Sequence, residues 1–203
     1  MPAKKPDRRV LRTREMLLDA FVALMIERGF DKLTVQHLLD QAGVGRATFY
    51  AHFRSKQDLL ACSIERLQAG LRHAWKSTAT SKTQPAETLG FALPFFQHID
   101  SHRRIYYLNV GRAGHALVEQ HLHRMLVDLV REDLLSHRVG RGKSVATEAV
   151  VQYVAGALWS LGIWWLSSRA RLSADELNAL FRKLVFPGLS AALPAASLDV
   201  RVQ

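Results

Sequence analysis

The residues best suited to chemistry form no catalytic set. They are a run of small, basic and hydroxylated side chains, Gly45-Arg46-Ala47-Thr48-Phe49-Tyr50-Ala51-His52, set between the glycine turn Ala42-Gly43-Val44 and the segment Ser55-Lys56-Gln57-Asp58. Phe49 and Phe53, four apart, share one helical face and can seat a short helix on a core. Arg46, Ala47, Thr48, Tyr50 and Ala51 are then left on its N-terminal and outer surface. Small residues there let a helix backbone sink into the major groove of a DNA duplex.

Other constellations are weaker. His98 and His102 lie four apart, a spacing that can hold zinc on one helical turn, but Ser101 is expected to break the helix between them. His121 and His123 point to different faces if helical. Gly142-Lys143-Ser144 resembles the end of a phosphate loop, yet position 137, where that loop needs glycine, is His137. No Gly-x-Ser-x-Gly elbow occurs, and Cys62, the single cysteine, has no histidine beside it in sequence. No metal, no cofactor and no enzymatic activity are expected.

A helix-turn-helix needs helices to position it, and the chain reads as helix throughout, with no bounded period-two alternation. The first helix spans about Val10 to Arg28, with Leu18, Phe21 and Met25 on one stripe and Gly29 at its end. Thr34 can cap a second through Gln41, in which Val35, Leu38, Leu39 and Ala42, with Val44 just beyond, face neighbours. Gly43 is free to take positive φ. A third runs from about Gly45 to Ala51. The capping box Ser55-x-x-Asp58 opens a long fourth that ends near Trp75. Pro85 suits the first turn of a fifth ending near Ile99, and Ser101 is read as the cap of a sixth. Ala116 to His137 forms a seventh, Ser144 caps the eighth, and Ser173-x-x-Glu176 opens a ninth that Pro187 should end or kink.

The 203 residues carry 28 Lys and Arg against 18 Asp and Glu, a net charge of +10, and are 48% hydrophobic. This composition excludes a disordered chain and makes an anionic partner plausible. The excess is spread: residues 1–60 hold 11 basic and 7 acidic side chains and the remainder 17 and 11. Lys4, Lys5, Arg8, Arg9, Arg12 and Arg14 nevertheless face only Asp7 in the first fourteen, an arm suited either to phosphates or to water. One cysteine precludes an internal disulfide framework and fits a cytoplasmic setting. The most apolar run, Tyr153 to Leu166, falls short of the ~20 residues that cross a bilayer, so a buried helix and no membrane partner are expected.

That eighth helix is apolar around most of its circumference, and such a helix must be covered on every side. A second copy is one cover and a central core position in a monomer is the other. The dimer reading places Val154, Leu158, Leu161, Trp164 and Trp165 with Leu177, Phe181 and Leu184 of the ninth helix in a four-helix interface.

Over its N-terminal quarter the chain resembles the TetR (tetracycline-repressor-like) family of transcriptional regulators. Gly29-Phe30, Thr34-Val35, Ala42-Gly43-Val44, Ala47-Thr48-Phe49-Tyr50, His52-Phe53, Ser55-Lys56 and Leu59-Leu60 all fall at the family's spacing. Leu39 and Leu33 depart from its usual Ala and Thr on the supporting helix. The resemblance implies an all-α, nine-helix architecture: a basic flexible arm over 1–9, a helix-turn-helix domain over 10–54, an effector-binding and dimerisation domain over 55–195 and a loose tail over 196–203. It implies that Thr34, Thr48, Tyr50, His52 and Lys56 meet phosphates, and that Gly45, Arg46 and Ala47 approach base edges. Arg46 is the candidate for guanine O6 and N7, with a phosphate as its alternative; Ala47 is the candidate for a thymine methyl.

It further implies a small-molecule pocket among helices four to eight, for which Trp75, Phe91, Phe95, Tyr106, Tyr107, His121, Met125 and Trp159 are candidates, each with a plain core role as its alternative. Five histidines and four arginines between 98 and 124 would favour an anionic or aromatic effector. The functional expectation is a cytoplasmic homodimeric regulator, most simply a ligand-responsive repressor on a palindromic operator. The alternatives are a ligand-independent activator or architectural DNA-binding protein and, less simply, a helical enzyme.

Overall fold

The computed structural model describes residues 8–79, 88–109, 116–136, 145–168 and 170–192. Among them are nine helices and no strand: α1 Arg8–Arg28, α2 Val35–Ala42, α3 Arg46–His52, α4 Lys56–Ala79, α5 Ala92–Ser101, α6 Arg103–Asn109, α7 Ala116–Ser136, α8 Val145–Ser167 and α9 Ala174–Ala192. The chain divides into two compact units, the first made of Met1–Arg66 with Arg104–Glu119 and the second of Leu67–Arg103 with Gln120–Gln203.

In the first unit α1 packs on α2. Leu17, Leu18, Phe21, Leu24 and Met25 form the buried stripe of α1, and Leu38, Leu39 and Ala42 answer from α2. Phe49, Phe53, Leu59 and Leu60 are at most 1% exposed and complete this core. A set of large apolar groups converging from the α1–α4 segment holds two short helices, α2 and α3, that would be marginal alone.

In the second unit α5 packs on α8 and α9, and α8 on α9. Gly162 brings the backbone of α8 so near α5 that a Cβ there would sit 2.9 Å from Ile99 Cδ1. Phe96 meets Phe95 and Phe181 with ring centroids 5.8 and 6.0 Å apart, and Trp75 meets Phe91 edge-on at 6.3 Å. Asp133, fully buried, accepts from the Leu89 amide at 2.7 Å, and Arg182 donates to the Thr88 carbonyl at 3.2 Å. These contacts secure the turn before α5, where Leu89 takes a left-handed φ of 58°.

Several local expectations need correction. The helix break falls just after Ser101 rather than before it: α5 ends on Ser101 and α6 begins at Arg103, and Ser101 does not cap α6 but donates its hydroxyl back to the Gln97 carbonyl at 2.9 Å. A serine that bonds the carbonyl four residues back satisfies itself inside a helix. His102 therefore follows His98 by one continuous turn, and the two rings stack at 4.2 Å. Among the described residues no three metal-ligating side chains converge. Pro187 does not end α9, which continues to Ala192. The fourth helix runs one turn beyond Trp75, to Ala79. Pro85, His137, Gly142-Lys143-Ser144 and the Ser144 cap lie outside the described residues.

Candidate nucleic-acid interface

The interface is built by two local devices. Thr34 caps α2 reciprocally with His37: Thr34 Oγ1 accepts from the His37 amide, and His37 Nδ1 accepts from the Thr34 amide, both at 3.3 Å. Histidine thus fills the place that Glu or Gln takes in the usual capping box. Gly43 ends α2 at φ 64°, ψ 34°, the left-handed conformation that closes a helix and costs a side-chain-bearing residue most. The Gly43 and Val44 amides both return to the α2 C-terminus, the latter to the Leu39 carbonyl at 3.1 Å. This tight closure turns the chain straight into α3.

On α3, Phe49 and Phe53 point inward with ring centroids 6.2 Å apart. Their burial rotates the opposite side of the helix outward, so Gly45, Arg46, Ala47, Thr48, Tyr50 and Ala51 are all exposed. Tyr50 is 51% exposed and rests its ring edge on Phe49 at 5.2 Å, which orients an otherwise free phenol. His52 is half-buried at the last turn, and Thr34 is exposed at the head of α2. Because Thr34 Oγ1 serves the cap as an acceptor, its own O–H remains able to donate.

Lys56 is placed differently from its expected role. Its ammonium donates to the carbonyls of Phe30, Asp31 and Leu33 at 3.0, 3.4 and 2.9 Å and lies 4.5 Å over the Phe30 ring. An ammonium has three N–H donors, and all three are committed to the α1–α2 corner. Arg14, counted in sequence with the basic arm, also turns inward. Its guanidinium stacks 4.6 Å over Phe53 and donates to Cys62 Sγ at 2.9 Å. Partial burial raises the Cys62 thiol pKa despite Arg14, so this sulfur is not an activated thiolate. Arg8, Arg9 and Arg12 stay exposed on the first turns of α1. Sequence reasoning missed the structural roles of Arg14, Lys56 and Asn109, because the partners that define those roles, Cys62, Leu33 and Phe30, lie at least 23 residues away.

The effector candidates divide. Trp75, Phe91, Phe95 and Met125 are buried in the second unit, with His121 and Trp159 half-buried. Burial and the neighbouring Arg124 lower the His121 pKa, which favours the neutral imidazole. Tyr106 is buried in the first unit, and its desolvated phenol is pushed well above the usual tyrosine range. Tyr107 is 63% exposed and does not line an interior cavity, a correction that follows from its standing about a quarter-turn of α6 away from the buried Tyr106.

The interface candidates on α8 and α9 need the largest correction. Val154, Leu158, Trp165, Leu177 and Phe181 are fully buried inside the subunit and cannot face a partner. The Trp165 indole N–H donates to the Leu172 carbonyl at 3.0 Å, and Arg103 stacks 4.3 Å over its ring. Trp164 and Leu184 are 45% and 54% exposed and Leu161 is half-buried. Tyr153, 53% exposed and 3.9 Å from where a Gly188 side chain would begin, lies on the same outer surface. The all-round apolarity of α8 is thus only partly covered: its inner side meets α5 and α9, and an outer strip remains open. By length and composition Thr147–Ser167 is also long and apolar enough to cross a membrane, but its inner side is consumed by this packing.

Residues 17–61 match the sequence profile described as bacterial regulatory proteins, tetR family. A Bacillus subtilis protein named as an uncharacterised HTH-type transcriptional regulator, YxbF, is 39% identical over 64 residues, covering 31% of this chain and 17% of the relative. The chain thus spans about a sixth of that relative. The HTH-type transcriptional repressor KstR2 of Mycolicibacterium smegmatis is 23% identical over 189 residues, 87% of this chain and 90% of the relative. Among solved structures, Thermus thermophilus FadR, described as a TetR-family repressor in complex with lauroyl-CoA, superposes with a TM-score of 0.61 at 20% identity, covering 94% of this chain and 100% of the other. The profile match falls on the α1–α4 segment that carries the exposed α3 surface, and the fold match extends over nearly the full length: the chain is similar to TetR-family regulators in sequence over residues 17–61 and in fold over most of its length.

Proposed function

We propose that the protein is a cytoplasmic, homodimeric transcriptional regulator that represses by binding a palindromic operator and is released by a small-molecule effector. One observation carries this reading. Burial of Phe49 and Phe53 leaves Gly45, Arg46, Ala47, Thr48 and Tyr50 together on the open side of α3. A helix with glycine and alanine beside one forked cation is slim enough to enter a major groove and equipped to read it. Arg46 approaches a guanine edge and Ala47 a thymine methyl, while Thr48, Tyr50, His52 and the Thr34 hydroxyl hold phosphates and set register. Lys56 contributes mainly by holding the corner it already caps.

Two copies paired through Tyr153, Trp164 and Leu184 would present two α3 helices to half-sites ~34 Å apart. Effector binding acts only through its differential affinity for the DNA-competent and incompetent states. The FadR complex with lauroyl-CoA and the naming of KstR2 as a repressor support a ligand-responsive repressor, and the naming of the relatives as regulators supports a non-catalytic role. The test is selection of an inverted repeat from a random duplex pool, followed by a salt titration of its affinity. A log–log slope near −0.9 for each phosphate neutralised is expected. Absence of any selected sequence, with and without candidate effectors, refutes the proposal.

A further inference from the structure

The chain enters the helix-turn-helix through a corner, Gly29 to Leu33, whose backbone has two main-chain bonds, Gly29 N–H to the Met25 carbonyl and Leu33 N–H to the Phe30 carbonyl, each at 3.2 Å, and is otherwise held by side chains from elsewhere in the first unit. Asn109, at the end of α6 and fully buried, accepts from the Phe30 amide through Oδ1 at 2.6 Å. Its Nδ2 donates to the Met25 carbonyl at 3.3 Å and to the Ile105 carbonyl at 2.7 Å. From α4, Lys56 takes the Phe30, Asp31 and Leu33 carbonyls. Two side chains thereby answer five backbone groups of the corner and of the α1 end. Gly29 at φ 75° lets α6 lie close, since a Cβ there would stand 3.3 Å from the Leu108 carbonyl oxygen. Thr34, the α2 cap, follows Leu33 directly.

We infer that Asn109 is a positioning residue for DNA reading: its carboxamide, working opposite Lys56, fixes the Gly29–Leu33 corner and so sets the angle at which α2 and α3 are presented. The inference rests on the DNA-reading role proposed above. A buried amide or carbonyl robbed of its partner must find water or move. The corner has no helix or sheet ladder of its own to fall back on, so movement there passes to the α2 cap.

The test compares full-length wild-type, Asn109→Ala and Asn109→Ser chains. Three quantities are read: amide hydrogen exchange at Phe30 and across 35–52, mass by sedimentation, and the ratio of affinities for the inverted repeat selected by the wild type and for a random duplex. In the alanine chain, exchange at Phe30 and across 35–52 is expected to quicken, and the affinity ratio to fall, each by at least about tenfold. Mass and exchange across α8 should hold. The serine chain, whose hydroxyl can still accept from Phe30, should fall between; it carries the comparison if the alanine chain does not fold. Faster exchange confined to Phe30, with the 35–52 amides and the affinity ratio at wild-type values, overturns the inference. If the wild type selects no duplex, the DNA-reading proposal fails by itself. The exchange across 35–52 then decides alone: quickening upholds the positioning role and wild-type rates refute it.

Discussion

Trp164 and Trp165 are adjacent in α8 and opposite in consequence, which makes them a sharp probe of the proposed pairing. Trp164 is 45% exposed in the single chain, whereas Trp165 has no exposed surface, bonds the Leu172 carbonyl and lies under Arg103. A tryptophan presents ~250 Å², so the open part of Trp164 is roughly 110 Å², and covering it is worth about 3 kcal/mol at ~25 cal/mol per Å². A two-fold interface uses the same patch twice, so Trp164→Ala should weaken pairing by about 5.5 kcal/mol, roughly four decades in Kd, as an upper figure. The subunit itself should change by only about 0.5 kcal/mol or less, as at other surface positions. Trp165→Ala should instead cost the subunit ~3–5 kcal/mol from the lost core group. Sedimentation over a range of concentrations reads the first effect and calorimetric melting of the monomer reads the second. A Trp164→Ala chain with an unchanged dimerisation constant would refute the interface.

Three further outcomes follow from particular contacts. Arg46→Ala should relax preference at one operator position by ~1–3 kcal/mol while random-duplex affinity falls less; quantitative binding to single-base operator variants reads this, and a uniform loss at every position would make Arg46 a phosphate contact. Ser173→Ala should cost about 1 kcal/mol in chemical denaturation, because Ser173 Oγ accepts from the Glu176 amide at 3.2 Å and heads α9; no change would mean that the cap contributes nothing in this context. His98 is pushed from its ordinary 6.5 to about 4, by burial first and then by the His102 charge. Protonation is therefore easier in the unfolded chain, so stability is greatest above pH 6.5 and declines toward pH 4, by up to roughly 3 kcal/mol. His98→Leu should flatten that decline in melting curves taken across the interval, and an unchanged slope would assign it to other groups.

What the sequence determined by itself was local: the caps at Thr34 and Ser173, the left-handed closure at Gly43, and the phenylalanine spacing that turns α3 outward at Arg46, Ala47 and Tyr50. Each depends on residues within about one helical turn, where backbone geometry and hydrogen-bond reach are settled by neighbours in the chain. Pro187 shows the limit of such reading, since a penalty for staying helical ends a helix only where packing does not exceed it. The tertiary structure alone decided which side of α8 is inside. Val154, Leu158, Trp164 and Trp165 are equally apolar in sequence, and only the approach of α5 and α9 divides them into core and open strip. It alone decided also that Lys56 and Asn109 hold the corner before α2, because a carbonyl's partner is chosen by proximity in space, and these partners come from 23 to 84 residues away.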